Sequence, residues 1–301
     1  MHAQILVMYY LDDDSFKHYF GDEITALRML KELGALRKMQ VCVCGSEMKV
    51  VMREKKRVFR CGKNNCKAEV SLRYGSVFFD SGKGCKQIMR IARCWLKRES
   101  SDEAVKSTPF NPDTISLWYT RFNQLVMKSV SSKRKKIGAP GMVVELDEMR
   151  LGHKKYERGH RVDGAWVLNG VERSAEKRKF SVVVLAQNAE TLHRVISENV
   201  EEGSIVFTDG WKGYKGIESA CGVSHETVNH KRYFKDPVTG VCTNTVEGVN
   251  GALKATVPIR HRTEESAPLM CALYIWRDEN LSRLCDAFID LLREYVEENK
   301  E

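Results

Sequence analysis

The chain has 301 residues, enough for roughly two or three small domains with at least one sizeable core. Its residues are 43% hydrophobic and 30% charged, as in soluble globular proteins. The net charge of +9 favours a polyanionic partner, most simply nucleic acid. No uninterrupted apolar run approaches the ~18 residues of a membrane span, so we expect no membrane partner.

Residues 1–40 are predicted to form an N-terminal helical element that serves packing. Asp22 could cap the start of a helix there, and Gly34 could end it. The predicted buried face of this helix consists of Ile24, Leu27, Leu30 and Leu33.

Residues 41–82 are predicted to form a zinc-ribbon-like unit. Four of the ten cysteines lie here, in the patterns Cys42-x-Cys44 and Cys61-x4-Cys66, between strand-like runs. Two cysteine pairs on two turns can close one tetrahedral thiolate site, so we expect one structural Zn²⁺. The alternative is four free cysteines in a small β unit. A catalytic zinc is not expected, because all-thiolate sites are normally closed.

Residues 83–128 are predicted to form a helical, helix-turn-helix-like DNA-binding domain. Two helices are predicted at 86–97 and 101–107, the second capped by Ser101, and Asn111-Pro112 signals the start of a third. In a helix-turn-helix the last helix enters a DNA groove. The alternative is a three-helix bundle that packs the zinc unit against the next domain. The candidate DNA-binding residues on the third helix are Thr114, Trp118 and Arg121.

Residues 129–140 are predicted to be a basic linker. Their charge run could contact phosphate or act as a nuclear import signal, and a solvated hinge is an equal alternative. The candidate DNA-binding residues here are Lys133, Arg134, Lys135 and Lys136.

Residues 141–262 alternate between strand-like and helical patterns. Strands are predicted at 143–151, 165–171 and 180–185, followed by helix, strand, helix, strand and helix. This is the element order of an α/β RNase H-like domain, with a mixed sheet flanked by helices. Residues 263–301 are predicted to be C-terminal helices.

Three acidic residues of this region form a candidate catalytic and metal-binding group. Asp147 and Asp209 each follow a run of strand-formers, 209 − 147 = 62 residues apart, and Glu247 lies near a predicted helix start. If the two strands are neighbours, both aspartates can share one metal, and Glu247 can complete a second site. Two Mg²⁺ ions about 3.5–4 Å apart are a recurrent device for phosphodiester chemistry, and carboxylate oxygens suit Mg²⁺.

Other acids nearby are interpreted as surface charge. Glu145 and Glu148 are expected to face away from Asp147, because side chains alternate along a strand. Asp163 and Glu172 flank the second strand and receive the same interpretation.

Two histidines and one lysine complete the candidate site. His225 and His230 bracket a short predicted strand, and His230 could contact the scissile strand or a phosphate, or be structural. Lys254 lies 254 − 247 = 7 residues after Glu247, on the same helix face, and could neutralise a DNA phosphate or lie on the surface.

The sequence resembles the Merlin-type transposases, which are related to bacterial insertion-sequence transposases with the same DDE domain. The resemblance covers roughly residues 40–280. It is carried by the blocks Val144-Glu145-Leu146-Asp147-Glu148, Asn199-Val200, Gly203–Tyr214, Val228-Asn229-His230 and Thr243-Asn244-Thr245-Val246-Glu247, by Lys154, Tyr156, Arg158 and Gly159, and by Ile275-Trp276-Arg277.

The resemblance implies a DDE triad of Asp147, Asp209 and Glu247 with two Mg²⁺ or Mn²⁺ ions per active site. It implies cut-and-paste transposition, in which the element end is cleaved and the freed 3′-hydroxyl attacks target DNA. The partners would be double-stranded terminal inverted repeats, target DNA and a second copy of the chain or more. The protein would act in the nucleus, or in the cytoplasm if its source is bacterial.

Two positions depart from the family pattern. Cys242 stands where the family usually has a histidine, and Asn250 stands where it usually has a tryptophan. The competing hypotheses are therefore an active transposase, a transposase-derived DNA-binding protein without transposition, and an RNase H-like nuclease.

Overall fold

A computed structural model describes residues 13–53, 56–152, 164–228 and 241–299. The chain divides into two compact units, one of Met1–Ser129 with Asn280–Glu301 and the other of Val130–Glu279. The predicted C-terminal segment 263–301 thus contributes to both units. No helix among the described residues has the length and apolar character that a membrane crossing requires.

The described helices and strands are numbered in chain order. The helices are α1 (Asp13–Phe20), α2 (Glu23–Glu32), α3 (Cys85–Leu96), α4 (Ser101–Ser107), α5 (Pro112–Ser132), α6 (Ala189–Asn199), α7 (Ile217–Cys221), α8 (Asn244–Thr256), α9 (Ala267–Glu279) and α10 (Leu284–Glu298). The strands are β1 (Met48–Arg53), β2 (Lys56–Cys61), β3 (Glu69–Ser71), β4 (Val143–Leu151), β5 (Ala165–Glu172), β6 (Lys179–Val184), β7 (Ile205–Asp209) and β8 (Ser224–Val228).

Helix α2 begins where the sequence predicts. The Asp22 carboxylate accepts hydrogen bonds from the backbone N–H groups of Ile24 and Thr25, at 2.9 and 3.0 Å, which confirms the predicted cap. The predicted buried face was wrong at one end, because Ile24 is 53% exposed. The buried side chains of α2 are instead Ala26, Met29 and Leu30.

Strands β1, β2 and β3 form a small antiparallel sheet in the order β1-β2-β3. Its apolar cluster is small and includes the cysteines at its edge. A unit of this size has little core of its own, so a metal cross-link would add folding energy.

The helices α3, α4 and α5 follow the predicted helix, short helix and helix order. Ser100, rather than Ser101, caps α4: its hydroxyl accepts from the Glu103 N–H at 3.3 Å, and the Glu103 carboxylate accepts from the Ser100 N–H at 2.7 Å. This reciprocal pair is a capping box. Asn111 accepts from the Thr114 N–H at 2.9 Å, as the start signal predicts. Helix α5 extends to Ser132, past the predicted start of the linker.

The second unit contains a five-stranded mixed sheet in the order β6-β5-β4-β7-β8. Strands β4, β5 and β6 pair antiparallel, whereas β4, β7 and β8 pair parallel. The predicted mixed sheet with flanking helices is thereby confirmed.

Apolar side chains cover both faces of this sheet. On one face Val144 and Leu146 of β4 join a cluster that includes α6 and α7. On the other face Met149 and Leu151 of β4 pack with residues of α8 and α9. Even and odd positions of β4 therefore point to opposite layers, and Asp147 belongs to the odd set that faces α8.

Candidate active site

Asp147 and Asp209 stand at matching positions on neighbouring parallel strands. The ladder pairs Val143 with Ile205 and Glu145 with Phe207, an offset of 205 − 143 = 62 residues. The same offset continued along the strands brings Asp147 opposite Asp209. Neighbouring strands lie about 4.8 Å apart, so the strand pairing explains why these two carboxylates interact.

Glu247 lies in the first turn of α8, which packs on β4 and β5. Its side chain is exposed, and the Thr243 hydroxyl lies 3.5 Å from its carboxylate. Helix α8 thus presents Glu247 from above the sheet face that carries Asp147.

Glu145 is a buried anchor for α8, and its interpretation as an outward-facing surface charge was wrong. Positions 145 and 147 differ by two, so strand alternation places them on the same face. Glu145 is 0% exposed and accepts hydrogen bonds from the backbone N–H groups of Thr245 at 2.8 Å and Val246 at 3.0 Å. Thr243, the cap residue of α8, makes no side-chain cap bond, so Glu145 supplies this cap from the sheet.

Arg173 holds Glu145 in the charged, buried state. Its Nε donates to the Glu145 carboxylate at 2.6 Å. Its other nitrogen donates to the backbone carbonyl and the sulfur of Cys242, at 2.9 and 2.8 Å. The departure at Cys242 therefore belongs to the same clamp that fixes the start of α8.

Asn250 contacts Asp147 directly. The Asn250 side-chain N–H donates to Asp147 Oδ2 at 2.6 Å, and the Asn250 Oδ1 accepts from Asn169 at 2.7 Å. Asn169 is 0% exposed and in turn accepts from the Ser181 hydroxyl. This chain of amides, which runs across β6, β5, α8 and β4, fixes the orientation of the Asp147 carboxylate.

The three acids interact electrostatically at Asp147. Burial raises the pKa of Asp147 to about 6, and the negative charges of Asp209 and Glu247 raise it too, whereas the Asn250 hydrogen bond lowers it. Within the described residues, no three acids have ligand atoms that all lie within 4.8 Å of one another. The acids are thus close enough to repel one another, but they are not gathered around a single point.

Glu148 points to the opposite layer, as predicted, but it is not a solvated surface acid. Burial raises its pKa to about 7, and the charges of Asp209 and Asp147 act in the same direction. The Tyr214 hydroxyl lies near enough to lower this pKa, yet neither that hydroxyl nor the Glu148 Oε1 makes a hydrogen bond of normal geometry. Both atoms are buried, so this corner of the site carries an electrostatic cost.

Glu172 is also buried, which corrects its interpretation as surface charge. It is 1% exposed, pairs with Arg178 at 2.8 Å and accepts from the Gly138 N–H at 2.8 Å. It therefore ties the segment before β4 to the end of β5. Asp163 lies outside the described residues.

The remaining candidates of the second unit have different positions. The His225 ring nitrogen lies 2.8 Å from the Thr208 hydroxyl, next to Asp209, and burial lowers the pKa of His225. Lys254 is exposed on α8, whereas His230 lies outside the described residues. In the basic run Lys133, Arg134 and Lys135 are exposed and Lys136 is half-buried; Arg134 also donates to Asn199 at 2.6 Å.

In the first unit one of the three helix candidates was wrong. Trp118 is 1% exposed, with its ring centroid 5.6 Å from that of Phe122, so it belongs to the core and presents no surface to DNA. Thr114 and Arg121 are half-buried, and the Arg121 guanidinium lies over the Trp118 ring. The aromatic periodicity of α5 records packing rather than DNA contact.

The four clustered cysteines form a compact group. Their sulfur atoms all lie within 4.8 Å of one another, with Cys42 to Cys66 and Cys44 to Cys61 both at 3.5 Å. A tetrahedral Zn²⁺ with bonds of about 2.3 Å places sulfurs ~3.8 Å apart, so this group fits the ion. All four are free thiols.

The loops around the cysteines favour a metal-binding form. A tight turn at Gly45, whose φ of +80° suits glycine, separates Cys44 from Ser46. The backbone hydrogen bond from Ser46 lowers the pKa of Cys44 to about 6, so this sulfur is a thiolate at neutral pH. The thiolate is the form that binds metal.

The mixed sheet with flanking helices fits the class of α/β transposase domains. Residues 140–265 match the family described as the ISXO2-like transposase domain. The match supports a DDE transposase family and a DNA-directed function for this part of the chain, and DDE transposases use divalent metals. No curated protein matches the chain.

Proposed function

We propose that the protein is a Merlin-type DNA transposase with an RNase H-like catalytic domain, which cleaves element ends and joins the freed 3′-hydroxyl to target DNA. The observation that carries the proposal is the register of β4 and β7, which brings Asp147 opposite Asp209 within the matched residues. The β6-β5-β4-β7-β8 order, with its first two pairings antiparallel, is the arrangement expected of an RNase H-like sheet.

The carboxylates fit divalent metal ions. Asp209 and Glu247 both raise the pKa of Asp147, a repulsion that a cation among them would relieve. Two ions with Asp147 between them would leave the ligands of different ions further apart than those of one ion, in keeping with the spread of these acids. Bound Mg²⁺ or Mn²⁺ would activate the attacking oxygen and offset charge on the leaving oxygen.

The protein's own residues would orient this chemistry. Asn250 holds one oxygen of Asp147, and Glu145 fixes the start of the helix that carries Glu247. Substrate DNA would approach the exposed cations of the second unit, which include Lys133, Arg134, Lys135 and Lys254.

The first unit would bind the terminal inverted repeats. A structural zinc on its cysteine cluster and exposed positions of its helices would contribute, with Thr114 and Arg121 kept as candidates. Activity would require a homodimer or higher oligomer, because two element ends must be joined. The site of action would be the nucleus, or the cytoplasm in a bacterium.

A transposase-derived DNA-binding protein is the second candidate. It is favoured by Asn250, which departs from the family pattern and donates to an Asp147 oxygen that a metal would also need. The full acidic set argues against it, because three acids around an anionic substrate bring no benefit to binding alone.

A strand-joining assay with labelled candidate element ends separates these functions. A transposase yields a labelled joined product in Mg²⁺ or Mn²⁺. A nuclease yields cut ends without joining, and a binding protein yields only a mobility shift.

A further inference from the structure

Trp211 stands apart from the other tryptophans of the chain. It follows the candidate metal ligand Asp209 by two residues and is 38% exposed, whereas Trp95, Trp118 and Trp276 are between 1% and 5% exposed. Trp166 is half-buried. A large ring left in solvent beside a catalytic acid calls for an explanation, because tryptophan is usually well buried.

The Trp211 ring is supported from one side. A Cβ atom built on Gly213 would lie 1.7 Å from the ring, so the ring covers the backbone of Gly213. The buried Tyr214 ring meets it edge-on, with centroids 6.1 Å apart and an interplanar angle of 87°. The backbone N–H of Trp211 also donates to Asp209 Oδ1 at 3.0 Å. The indole is therefore a positioned ring rather than a loose side chain.

The surroundings of the ring suit a nucleotide. Along the chain its neighbours Gly210 and Lys212 are exposed and not apolar, so the indole is not part of a continuous apolar stretch there. Lys212 and Lys215 are both exposed. Aromatic faces flanked by cations are how proteins hold single-stranded nucleotides, with the base stacked and the phosphate neutralised.

We infer that Trp211 stacks on an unpaired nucleobase next to the scissile phosphate, so that the protein prefers DNA ends whose terminal bases are open. This inference rests on the proposed function, because the scissile phosphate is placed by Asp147 and Asp209. Stacking on a base face is tolerant of sequence, so Trp211 would recognise strand opening and not a particular base.

The test compares two DNA probes on the full-length protein. One is a blunt 30-base-pair duplex, and the other is the same duplex with three unpaired 3′ nucleotides that carry 2-aminopurine. Binding is measured by anisotropy at one salt concentration in an Asp147→Asn background, so that neither strand is cut. One stacked base is worth roughly a fivefold to hundredfold gain in affinity, and the open-ended probe should bind tighter by that factor.

Variants isolate the ring. Trp211→Ala should remove the preference for the open-ended probe and the accompanying 2-aminopurine quenching, while blunt-duplex affinity stays unchanged. Trp211→Phe should retain most of the preference. Gly213→Ala should mimic Trp211→Ala, because its methyl group displaces the ring. Leu185→Ala, which removes another exposed apolar side chain of the same unit, should have no effect.

Three results would overturn the inference. They are equal binding of both probes by the parent protein, an unchanged preference in Trp211→Ala, and an equal loss for both probes in a folded Trp211→Ala, as judged by circular dichroism. None of these measurements needs cleavage, so failure of the transposase proposal would show separately, as absent strand joining by the wild-type chain.

Discussion

Asn250 donates a hydrogen bond of 2.6 Å to Asp147, and so joins α8 to β4 at the candidate metal ligand itself. Through Asn169 the same contact is supported from within the sheet, where Asn250 is only 8% exposed. The residue that departs from the family pattern is therefore a support for the first acid of the triad. The departure replaces an apolar contact by a polar one.

Loss of Asn250 should weaken catalysis without removing a ligand. Partners that orient metal ligands typically contribute about tenfold to a hundredfold, so Asn250→Ala should lower the strand-joining rate by that factor. DNA affinity should not change. The measurement is a single-turnover joining rate across a Mg²⁺ titration.

The matched control for Asn250→Ala lies next to it. Gly251→Ala adds a methyl group that meets no atom within 4 Å, so the joining rate should remain at the wild-type level. Equal rates for Asn250→Ala and Gly251→Ala would show that the amide does not support Asp147.

Glu145 should be important for stability as well as for the site. Glu145→Ala leaves Arg173 unpaired and two buried N–H groups of α8 without an acceptor, which should cost about 3–5 kcal/mol of unfolding free energy. Urea unfolding followed by circular dichroism measures this loss. Glu226→Ala, at an exposed position on β8, should cost little. A Glu145→Ala protein as stable as Glu226→Ala would refute the anchoring role.

Glu148 should make the metal-free protein less stable at high pH. Its folded pKa of about 7 exceeds the ordinary value of 4.5, so folding favours the protonated acid and stability falls as pH rises from 4.5 to 7. Glu148→Gln cannot ionise and should be more stable than wild type at pH 8, by on the order of 2–3 kcal/mol. Thermal melts without added Mg²⁺ at pH 5 and pH 8 test this; a difference that does not change with pH would contradict it.

The cysteine cluster should hold one zinc. Cys61→Ser removes one of four ligands and should lose the metal and destabilise the first unit. Elemental analysis of the purified protein gives the zinc content. Cys242→Ser, outside the cluster, should keep one zinc per chain. A folded wild-type protein that contains no zinc would disprove the ribbon.

Local patterns in the sequence predicted much of this architecture. The strand runs before Asp147 and Asp209 identified both acids, and their separation of 62 residues equals the offset of the β4–β7 ladder. The Asp22 and Asn111 caps were also predictable, because a cap acts on its own helix.

Contacts between distant elements were beyond such patterns. Asn250 reaches Asp147 across 250 − 147 = 103 residues, and no periodicity signals that contact. Glu145 could have been found, because strand alternation applied correctly puts it beside Asp147. Trp118 shows the opposite failure: an aromatic on a DNA-binding-like helix was assigned to the surface, although its spacing with Phe122 marks the core.

The most direct test of the central claim is strand joining by triad variants that still bind DNA. Asp147→Asn, Asp209→Asn and Glu247→Gln are close in size to the native residues and should each abolish cleavage and joining in Mg²⁺ or Mn²⁺. Their affinity for the element end, measured in parallel, should match that of the wild-type protein. Joined product at the wild-type level from any of the three variants would contradict the assignment of that acid to the catalytic site.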